Sequence, residues 1–230
     1  GLNTALGSKA GKAITSGDHN VLLGASAGVL ATSCDNCVVI GAEACGAAMT
    51  GNDNIVVGKS SGAALTSGTR NISIGTNSLK TVNTGNDSIA IGHHALQLQN
   101  TSGGTANDNV AIGSFAGEDI TTGKDNVLIG KDAAKNGTSC DNCIVIGAEA
   151  GPADAAGNLT GNDNIIIGQS VASALTSGTR NIAIGTDALN TEDAADDNVA
   201  IGHEALMTCD GVGLNTALGS KAGKAITSGD

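Results

Sequence analysis

The stretch Asn20-Val21-Leu22-Leu23-Gly24 recurs in altered form along the whole chain, and its spacing decides the fold. Each copy joins a small polar residue, three small or aliphatic residues and a closing glycine, as in Asn109-Val110-Ala111-Ile112-Gly113. The closing glycines are Gly7, Gly24, Gly41, Gly58, Gly75, Gly92, Gly113, Gly130, Gly147, Gly168, Gly185, Gly202 and Gly219. They follow a 17-residue period, with longer steps from Gly92 to Gly113 and from Gly147 to Gly168. A fixed period of this length predicts a solenoid in which each repeat forms one coil.

A longer repeat is superimposed on the coils. Gly7, Gly113 and Gly219 are separated by two 106-residue blocks, and residues 1–18 recur unchanged at 213–230. We therefore expect residues 1–230 to form a single continuous repeat array without an internal domain boundary. Its 212-residue unit consists of the two 106-residue blocks, and residues 213–230 begin the next unit. We also expect this array to continue head to tail in a longer chain, with an axial repeat of roughly 58 Å at the spacing of β-strands.

The composition restricts the fold class. The chain has no Trp or Tyr and one Phe, so its core must be built from aliphatic and small side chains. Its 35 glycines follow no G-X-Y period, which excludes collagen. These features predict an all-β protein, a parallel β-solenoid of 17-residue coils. The net charge of −11 argues against nucleic acid as a partner, and no apolar run is long enough for membrane insertion.

The strand positions are apolar on both faces. The residue before each closing glycine is Leu, Ile or Val, and the residue three before it is Val or Ile except at Thr4 and Thr216. Side chains alternate along a strand, so the residue between them points to the other face. We expect one face to fill the coil and the central residues, such as Val56, Leu128 and Ile166, to form an assembly interface with a neighbouring chain. The Thr-Ser-Gly segments, such as 15–17, predict a second short strand in each coil.

Asparagine stands four residues before the glycine in ten of thirteen coils. Stacked amide side chains can hydrogen-bond from one layer to the next in cross-β structures. We therefore predict an Asn ladder through the array. Its members include Asn20, Asn54, Asn71, Asn109, Asn126, Asn164, Asn181 and Asn198.

Two Cys-x-x-Cys motifs, Cys34 with Cys37 and Cys140 with Cys143, occupy equivalent places in the two 106-residue blocks. Six coils separate them, or roughly 29 Å, so they cannot share one zinc ion. Two residues across a tight turn are within reach of a disulfide. We favour a structural disulfide, either within the turn or between adjacent chains, and free buried thiols are the alternative.

A charged column lies five residues before the glycine. It contains Asp87, Asp108 and Asp125, whereas Arg70 and Arg180 each follow an aspartate one coil earlier. Stacked like charges repel, and an arginine between two aspartates relieves the repulsion. Calcium is the candidate metal for Asp87, Asp108 and Asp125, and solvated turn aspartates are the favoured alternative. No other cofactor is expected.

The strings Asn-Val-Ala-Ile-Gly-x-x-Ala and Thr-Thr-Gly-x-x-Asn, both within residues 109–130, resemble the head repeats of trimeric autotransporter adhesins (YadA-like). They also resemble the β-roll repeats of phage tail fibres. The resemblance covers essentially the whole chain. It implies a left-handed β-roll, three chains around one axis, and a role as an exposed adhesin or fibre.

The sequence contains no constellation of nucleophile, base and orienting group, so we expect that the protein is not an enzyme. We expect a structural or adhesive fibre segment at the cell surface, outside the cell or on a virion, with itself as partner and a host surface or matrix as external partner. One alternative is a receptor-binding tail fibre or adhesin that uses the insertion loops 93–112 and 148–167. Another is an ice-binding solenoid, although its Thr column is interrupted at Met49, Asn83 and Asp193.

Overall fold

The computed structural model describes residues 1–100, 107–153, 157–191, 193–209 and 213–226. The chain divides into two compact units, residues 1–114 and 115–230. The division falls next to Gly113, where the two 106-residue blocks meet, although the sequence predicts no internal boundary there. In a solenoid each coil contacts only its neighbours, so most contacts join residues about one coil apart in sequence.

Each unit is a stack of parallel three-residue strands. The first unit contains β1 (Thr4–Leu6), β2 (Val21–Leu23), β3 (Val38–Ile40), β4 (Ile55–Val57), β5 (Ile72–Ile74), β6 (Ile89–Ile91) and β7 (Val110–Ile112). The second contains β8 (Val127–Ile129), β9 (Ile144–Ile146), β10 (Ile165–Ile167), β11 (Ile182–Ile184), β12 (Val199–Ile201) and β13 (Thr216–Leu218). Within each unit every strand pairs in parallel with the next one in sequence. The predicted parallel β-solenoid of 17-residue coils is confirmed.

The register follows the sequence columns. Ile55 pairs with Ile72, and Val56 with Ser73, so residues one coil apart stand directly above each other. A coil with an insertion keeps this register, since Ile89 still pairs with Val110. The described residues contain no helix, and therefore no helix that is long and apolar enough to span a membrane.

The predicted second strand is absent from the described coils. Instead, the segments around Thr15 and Thr66 form turns and bends that are linked between coils by isolated backbone hydrogen bonds. The Thr15 N–H donates to the Thr32 carbonyl at 2.9 Å, and the Thr66 N–H to the Asn83 carbonyl at 2.9 Å. Each coil thus has one short strand, and irregular backbone closes the rest of its circuit.

The prediction of which strand residues point outward is wrong. The central residue of each strand points into the coil, and the two flanking residues point outward. Val56, Leu128 and Ile166 have no exposed surface and fill the interior of their own coils, so they cannot form an interface with a second chain. The flanking residues point outward, with Ile55 39% and Ile74 37% exposed. A coil with a single strand needs only one inward side chain from it, because residues from the turns supply the rest of the core.

Left-handed backbone conformations bend each coil at the same places. Residues two after and five before the closing glycine have positive φ in nearly every coil, as at Ser60 (52°) and Arg70 (57°). The closing glycine has an extended positive φ, 136° at Gly58, which L-residues rarely adopt. A Cβ atom there would also lie 2.5 Å from the carbonyl oxygen of Gly75, one coil away. The glycine column is therefore required both by backbone conformation and by the close approach of successive coils.

Candidate assembly surface and coil-to-coil ladders

The outward side chains of the strands form an apolar surface on each unit, which we call the outer stripe. In the first unit it consists of Thr4, Leu6, Val21, Leu23, Val38, Ile40, Ile55, Val57, Ile72, Ile74, Ile89, Ile91, Val110 and Ile112. In the second unit it consists of Val127, Ile129, Ile144, Ile146, Ile165, Ile167, Ile182, Ile184, Val199, Ile201, Thr216 and Leu218. None of these side chains is charged, and none is fully buried within the chain. Contiguous exposed apolar surface of this kind marks an interaction site in soluble proteins.

Two columns follow the sides of the outer stripe. On one side lies the polar column that contains Asp53, Arg70 and Asp87, and on the other a column in which residues such as Lys59 and His93 alternate with Ala25, Ala42 and Ala148. A polar rim, as is usual for a protein interface, is therefore complete on one side of the stripe and partial on the other.

The Asn column links each coil to the next. The Asn71 N–H donates to the side-chain Oδ1 of Asn54 at 3.0 Å, and Asn71 Nδ2 donates to the Gly85 carbonyl at 2.8 Å. Asn71 Oδ1 in turn accepts the Ser88 N–H at 3.1 Å. Asn164 and Asn181 repeat this pattern in the second unit, where the Asn181 N–H reaches Asn164 Oδ1 at 2.9 Å. In these coils the buried carboxamide satisfies backbone N–H and carbonyl groups of the neighbouring coils. Most of its hydrogen bonds are to the backbone, and fewer are to another amide side chain.

One interruption of this ladder is repaired from the other side of the coil. Ser88 is too short to replace the amide, and the buried Gln99 donates from Nε2 to Ser88 Oγ at 2.9 Å. Gln99 Oε1 accepts a hydrogen bond from Asn109 Nδ2 at 3.2 Å. The sequence analysis did not identify Gln99. It could have been found because a long amide side chain, Gln99, occurs in the coil in which Ser88 replaces asparagine.

The four cysteines of the Cys-x-x-Cys motifs are free thiols, and all four are fully buried. Burial excludes the predicted disulfide between adjacent chains, since no sulfur atom reaches the surface. Within each motif the two thiols are close enough to shift each other's pKa. The Cys37 Sγ atom also lies 3.4 Å from the Asp35 carbonyl oxygen and 3.5 Å from that of Gly51.

The two thiols of a pair have pKa values that are shifted in opposite directions. The hydrogen bond with Cys37, and then burial, raises the pKa of Cys34 far above that of a free thiol. The pKa of Cys37 is lowered, first by the hydrogen bond from Cys34 and then by hydrogen bonds from Asn54. Cys140 and Cys143 have the same asymmetry in the second unit. Cys37 and Cys143 would therefore lose their protons first.

Arginine side chains organise the charged column. Arg70 binds Asp87 with two hydrogen bonds, 2.6 Å from Nε and 2.7 Å from Nη2. Arg180 binds Asp197 in the same way, at 2.7 Å and 2.8 Å. The hydrogen bonds from Arg70 lower the pKa of Asp87, and those from Arg180 lower the pKa of Asp197. Asp87 is thus paired with the arginine that stands one coil earlier in the same column.

The calcium proposal for Asp87, Asp108 and Asp125 finds no support in the geometry. Asp87 is engaged by Arg70 through both carboxylate oxygens. Across the part of the chain that the structure describes, no group of three His, Cys, Asp or Glu side chains is placed to hold a metal ion. Asp87 and Asp197 serve here as ion-pair partners of arginine.

A buried hydroxyl cluster lies in the first unit. The Oγ atoms of Ser61, Ser73 and Ser78 are 2.7 to 3.0 Å apart and all three residues are buried. The equivalent residues of the second unit are Val171, Ala183 and Ala188, which are also buried. The two units therefore fill the same positions with a polar network in one case and with aliphatic side chains in the other.

The Thr hydroxyls are used within the fold. Thr66 Oγ1 donates to the Asn83 carbonyl at 2.8 Å, and Thr176 Oγ1 donates to the Asp193 carbonyl at 2.9 Å. Met49, one of the interruptions of the Thr column, is fully buried. An ice-binding surface needs a regular lattice of outward hydroxyls, and these hydroxyls direct their protons along the stack.

The insertion loops are described only in part. Residues 101–106 of the loop 93–112 and residues 154–156 of the loop 148–167 lie outside the described residues. A scan of the chain against family models finds no match, and a search of curated proteins finds no similar sequence.

Proposed function

We propose that this chain is a structural segment of an extracellular, cell-surface or virion-surface fibre, in which copies of the solenoid pack side by side through the outer stripe. The observation that carries the proposal is the outer stripe itself, an uncharged stripe that consists of Ile, Val and Leu apart from Thr4 and Thr216. The resemblance to adhesin head repeats implies three copies around one axis. No catalytic constellation of described residues competes with this function.

A second copy of the chain suits the outer stripe better than a lipid surface does. Interfacial membrane-binding surfaces combine apolar residues with Trp, Lys and Arg. This chain has no Trp or Tyr and a net charge of −11, which disfavours anionic bilayers. A second copy presents the same ridges at the same strand spacing, so that side chains of two stripes can interdigitate along their length.

The size of the stripe makes association depend on the number of coils. Seven strands extend roughly 30 Å at the strand spacing, and two outward residues span about 7 Å. A stable interface needs about 800 Å² on each partner. The stripe of one unit falls short of this area, so contacts should accumulate coil by coil. We propose that this accumulation explains the use of a tandem array.

The test uses substitutions that change only exposed side chains. Ile55→Asp and Ile74→Asp together place two charges on the stripe without touching the core, because both residues are among the most exposed of the stripe. Ala48→Asp, at an exposed position outside the strands, is the matched control. Analytical ultracentrifugation over a range of protein concentrations should show concentration-dependent association of the wild type and of Ala48→Asp, and a monomer with unchanged circular dichroism for the double variant. A wild type that stays monomeric at every concentration, or a double variant that associates as strongly as the wild type, would contradict the proposal.

A further inference from the structure

The two Cys-x-x-Cys motifs combine two departures from the repeat in one coil. Cys37 and Cys143 stand in the Asn column, and Cys34 and Cys140 stand three residues earlier, where most coils have glycine. Both of the coils with cysteine in the Asn column carry the second cysteine. Each departure has its own cost, since the coil loses a carboxamide and gains a side chain in a crowded column. Their occurrence together indicates that the pair acts as one group.

The loss of the carboxamide leaves a weaker link between coils. The Cys37 N–H still donates to Asn20 Oδ1 at 2.9 Å, but its own side chain offers only sulfur contacts of 3.4 and 3.5 Å. Cys143 has nearly the same environment, with sulfur contacts of 3.5 and 3.4 Å to the carbonyl oxygens of Asp141 and Gly161. Both units thus contain the same arrangement of cysteine side chains. This arrangement does not involve the outer stripe and does not depend on the proposed fibre function.

The backbone between the two cysteines is shaped to bring them together. Asn36 and Asn142, the residues before the second cysteine, have left-handed φ values of 58° and 57°. Both side chains of a pair are fully buried in the same coil. The two columns adjoin, because a Cβ atom in the first column would lie 3.2 Å from the Nδ2 atom in the Asn column, as at Gly17 and Asn20. Two cysteines that replace these residues are therefore within reach of a disulfide.

We propose that Cys34 with Cys37, and Cys140 with Cys143, are modification sites that form intracoil disulfides when the chain folds with a low-molecular-weight disulfide such as glutathione disulfide. The closed coil then preserves whichever oxidation state it had on folding. Preservation follows from burial, because none of the four sulfur atoms is exposed to a reductant or an oxidant once the neighbouring coils are stacked.

The chemistry consists of two thiol–disulfide exchanges. The thiolate of one cysteine attacks glutathione disulfide, forms a mixed disulfide and releases one glutathione thiolate. The thiolate of the other cysteine attacks the protein sulfur of this mixed disulfide and displaces the second glutathione thiolate. The two protons lost by the cysteines pass to the glutathione thiolates, so that two thiols and one disulfide become one protein disulfide and two glutathione molecules.

The experiment unfolds the full chain in guanidinium chloride and refolds it with either glutathione disulfide or a phosphine reductant. Each product is then denatured without reductant, alkylated and weighed by mass spectrometry. We expect alkylation of all six cysteines after reductive refolding. After oxidative refolding we expect alkylation of two, Cys45 and Cys209, because the four cysteines of the motifs are protected. Six alkylated cysteines after oxidative refolding, or disulfide-linked dimers on a non-reducing gel, would refute the proposal.

Two further measurements test pairing and preservation. The variant Cys34→Gly/Cys37→Asn restores the residues most common in those columns, and it should fold and protect two cysteines instead of four. Protection of all four remaining cysteines in this variant would show pairing with Cys45 or Cys209 and would overturn the assignment. Addition of reductant to the folded oxidised protein, or of glutathione disulfide to the folded reduced protein, should leave the alkylation count unchanged over the time in which the unfolded chain reacts completely. Equal rates for folded and unfolded protein would overturn preservation.

Discussion

A Cβ atom added at Gly28 would lie 2.6 Å from the Cδ2 atom of Leu22, so these two residues occupy one shared volume of the coil interior. Other coils divide the same volume differently, and Ala90 in the strand is accompanied by the buried Leu96 in the turn. Coils with a large strand residue and a small turn residue are Leu22/Gly28, Val56/Gly62, Leu128/Ala134 and Ile166/Ala172. Coils with the reverse arrangement are Ser73/Leu79, Ala90/Leu96, Ala183/Leu189 and Ala200/Leu206. In these eight coils the core is therefore packed by exchange of size between two columns, whereas Ala5/Gly11, Ala111/Gly117 and Ala217/Gly223 are small in both.

This exchange predicts that the two arrangements can be interchanged. Leu22→Ala alone should lower the free energy of unfolding by about 2–5 kcal/mol, because it leaves a cavity. Gly28→Leu alone should also destabilise the protein, because two leucines would overlap. The double variant should recover most of both losses, since Leu96 shows that leucine is accepted at a φ of 48°, close to the 55° of Gly28. Urea denaturation of the four proteins measures the coupling, and additive losses would contradict the prediction.

The hydroxyl cluster predicts a non-additive effect of another kind. Ser73→Ala alone should destabilise the protein by about 1–2 kcal/mol, because Ser61 and Ser78 lose a buried hydrogen-bond partner. The triple variant Ser61→Val/Ser73→Ala/Ser78→Ala copies Val171, Ala183 and Ala188 of the second unit, and it should be as stable as the wild type or more stable. Replacement of all partners by aliphatic groups leaves no unsatisfied hydroxyl. Thermal unfolding gives the midpoint temperature of both variants. A triple variant that is less stable than Ser73→Ala would contradict the prediction.

The Asn ladder predicts a large cost for one buried amide. Asn71→Ala leaves the Gly85 carbonyl and the Ser88 N–H without their partner, which should cost about 1–3 kcal/mol for each unsatisfied group. Asn36→Gly is the control, since it removes only an exposed hydrogen bond of 3.2 Å to Asp53 and keeps the left-handed backbone. Guanidinium denaturation should separate the two variants clearly. Equal stabilities would mean that the ladder contributes nothing measurable.

The ion pair of Arg70 and Asp87 predicts the direction of a pH effect. The pKa of Asp87 is lower in the folded state, so its contribution is present above the unfolded pKa of about 3.9 and is lost as pH falls through the folded value. Asp87→Asn should therefore be less stable than the wild type at pH 7, and the difference should disappear at strongly acidic pH. The effect is small because both side chains are partly exposed, and it should decrease in high salt. A difference that grows on acidification would contradict this assignment.

Much of this fold is determined by the sequence by itself. The period of the glycines defines the coils and their register, because a solenoid pairs each position with its equivalent one repeat later. The Asn column follows for the same reason, since identical side chains stacked at strand spacing can bond along the stack. Even the departures at Ser88, Cys37 and Cys143 are visible as breaks in one column.

Only the tertiary structure decides which face of the strand is inside. Ile55 and Val56 are equally suited to a core, so their polarity does not distinguish an interior from an assembly surface. The choice depends on how many strands a coil has, and that number depends on left-handed turns at residues as different as Ser60, Arg70 and Phe115. Asp and Asn, which adopt positive φ more readily than most residues, fill most of the column that contains Arg70, but Arg70, Ser60 and Phe115 adopt it without such a preference. At these three positions the stacking of neighbouring coils supports the turn. The same closure decides that the thiols of Cys34 and Cys37 meet in a buried interior.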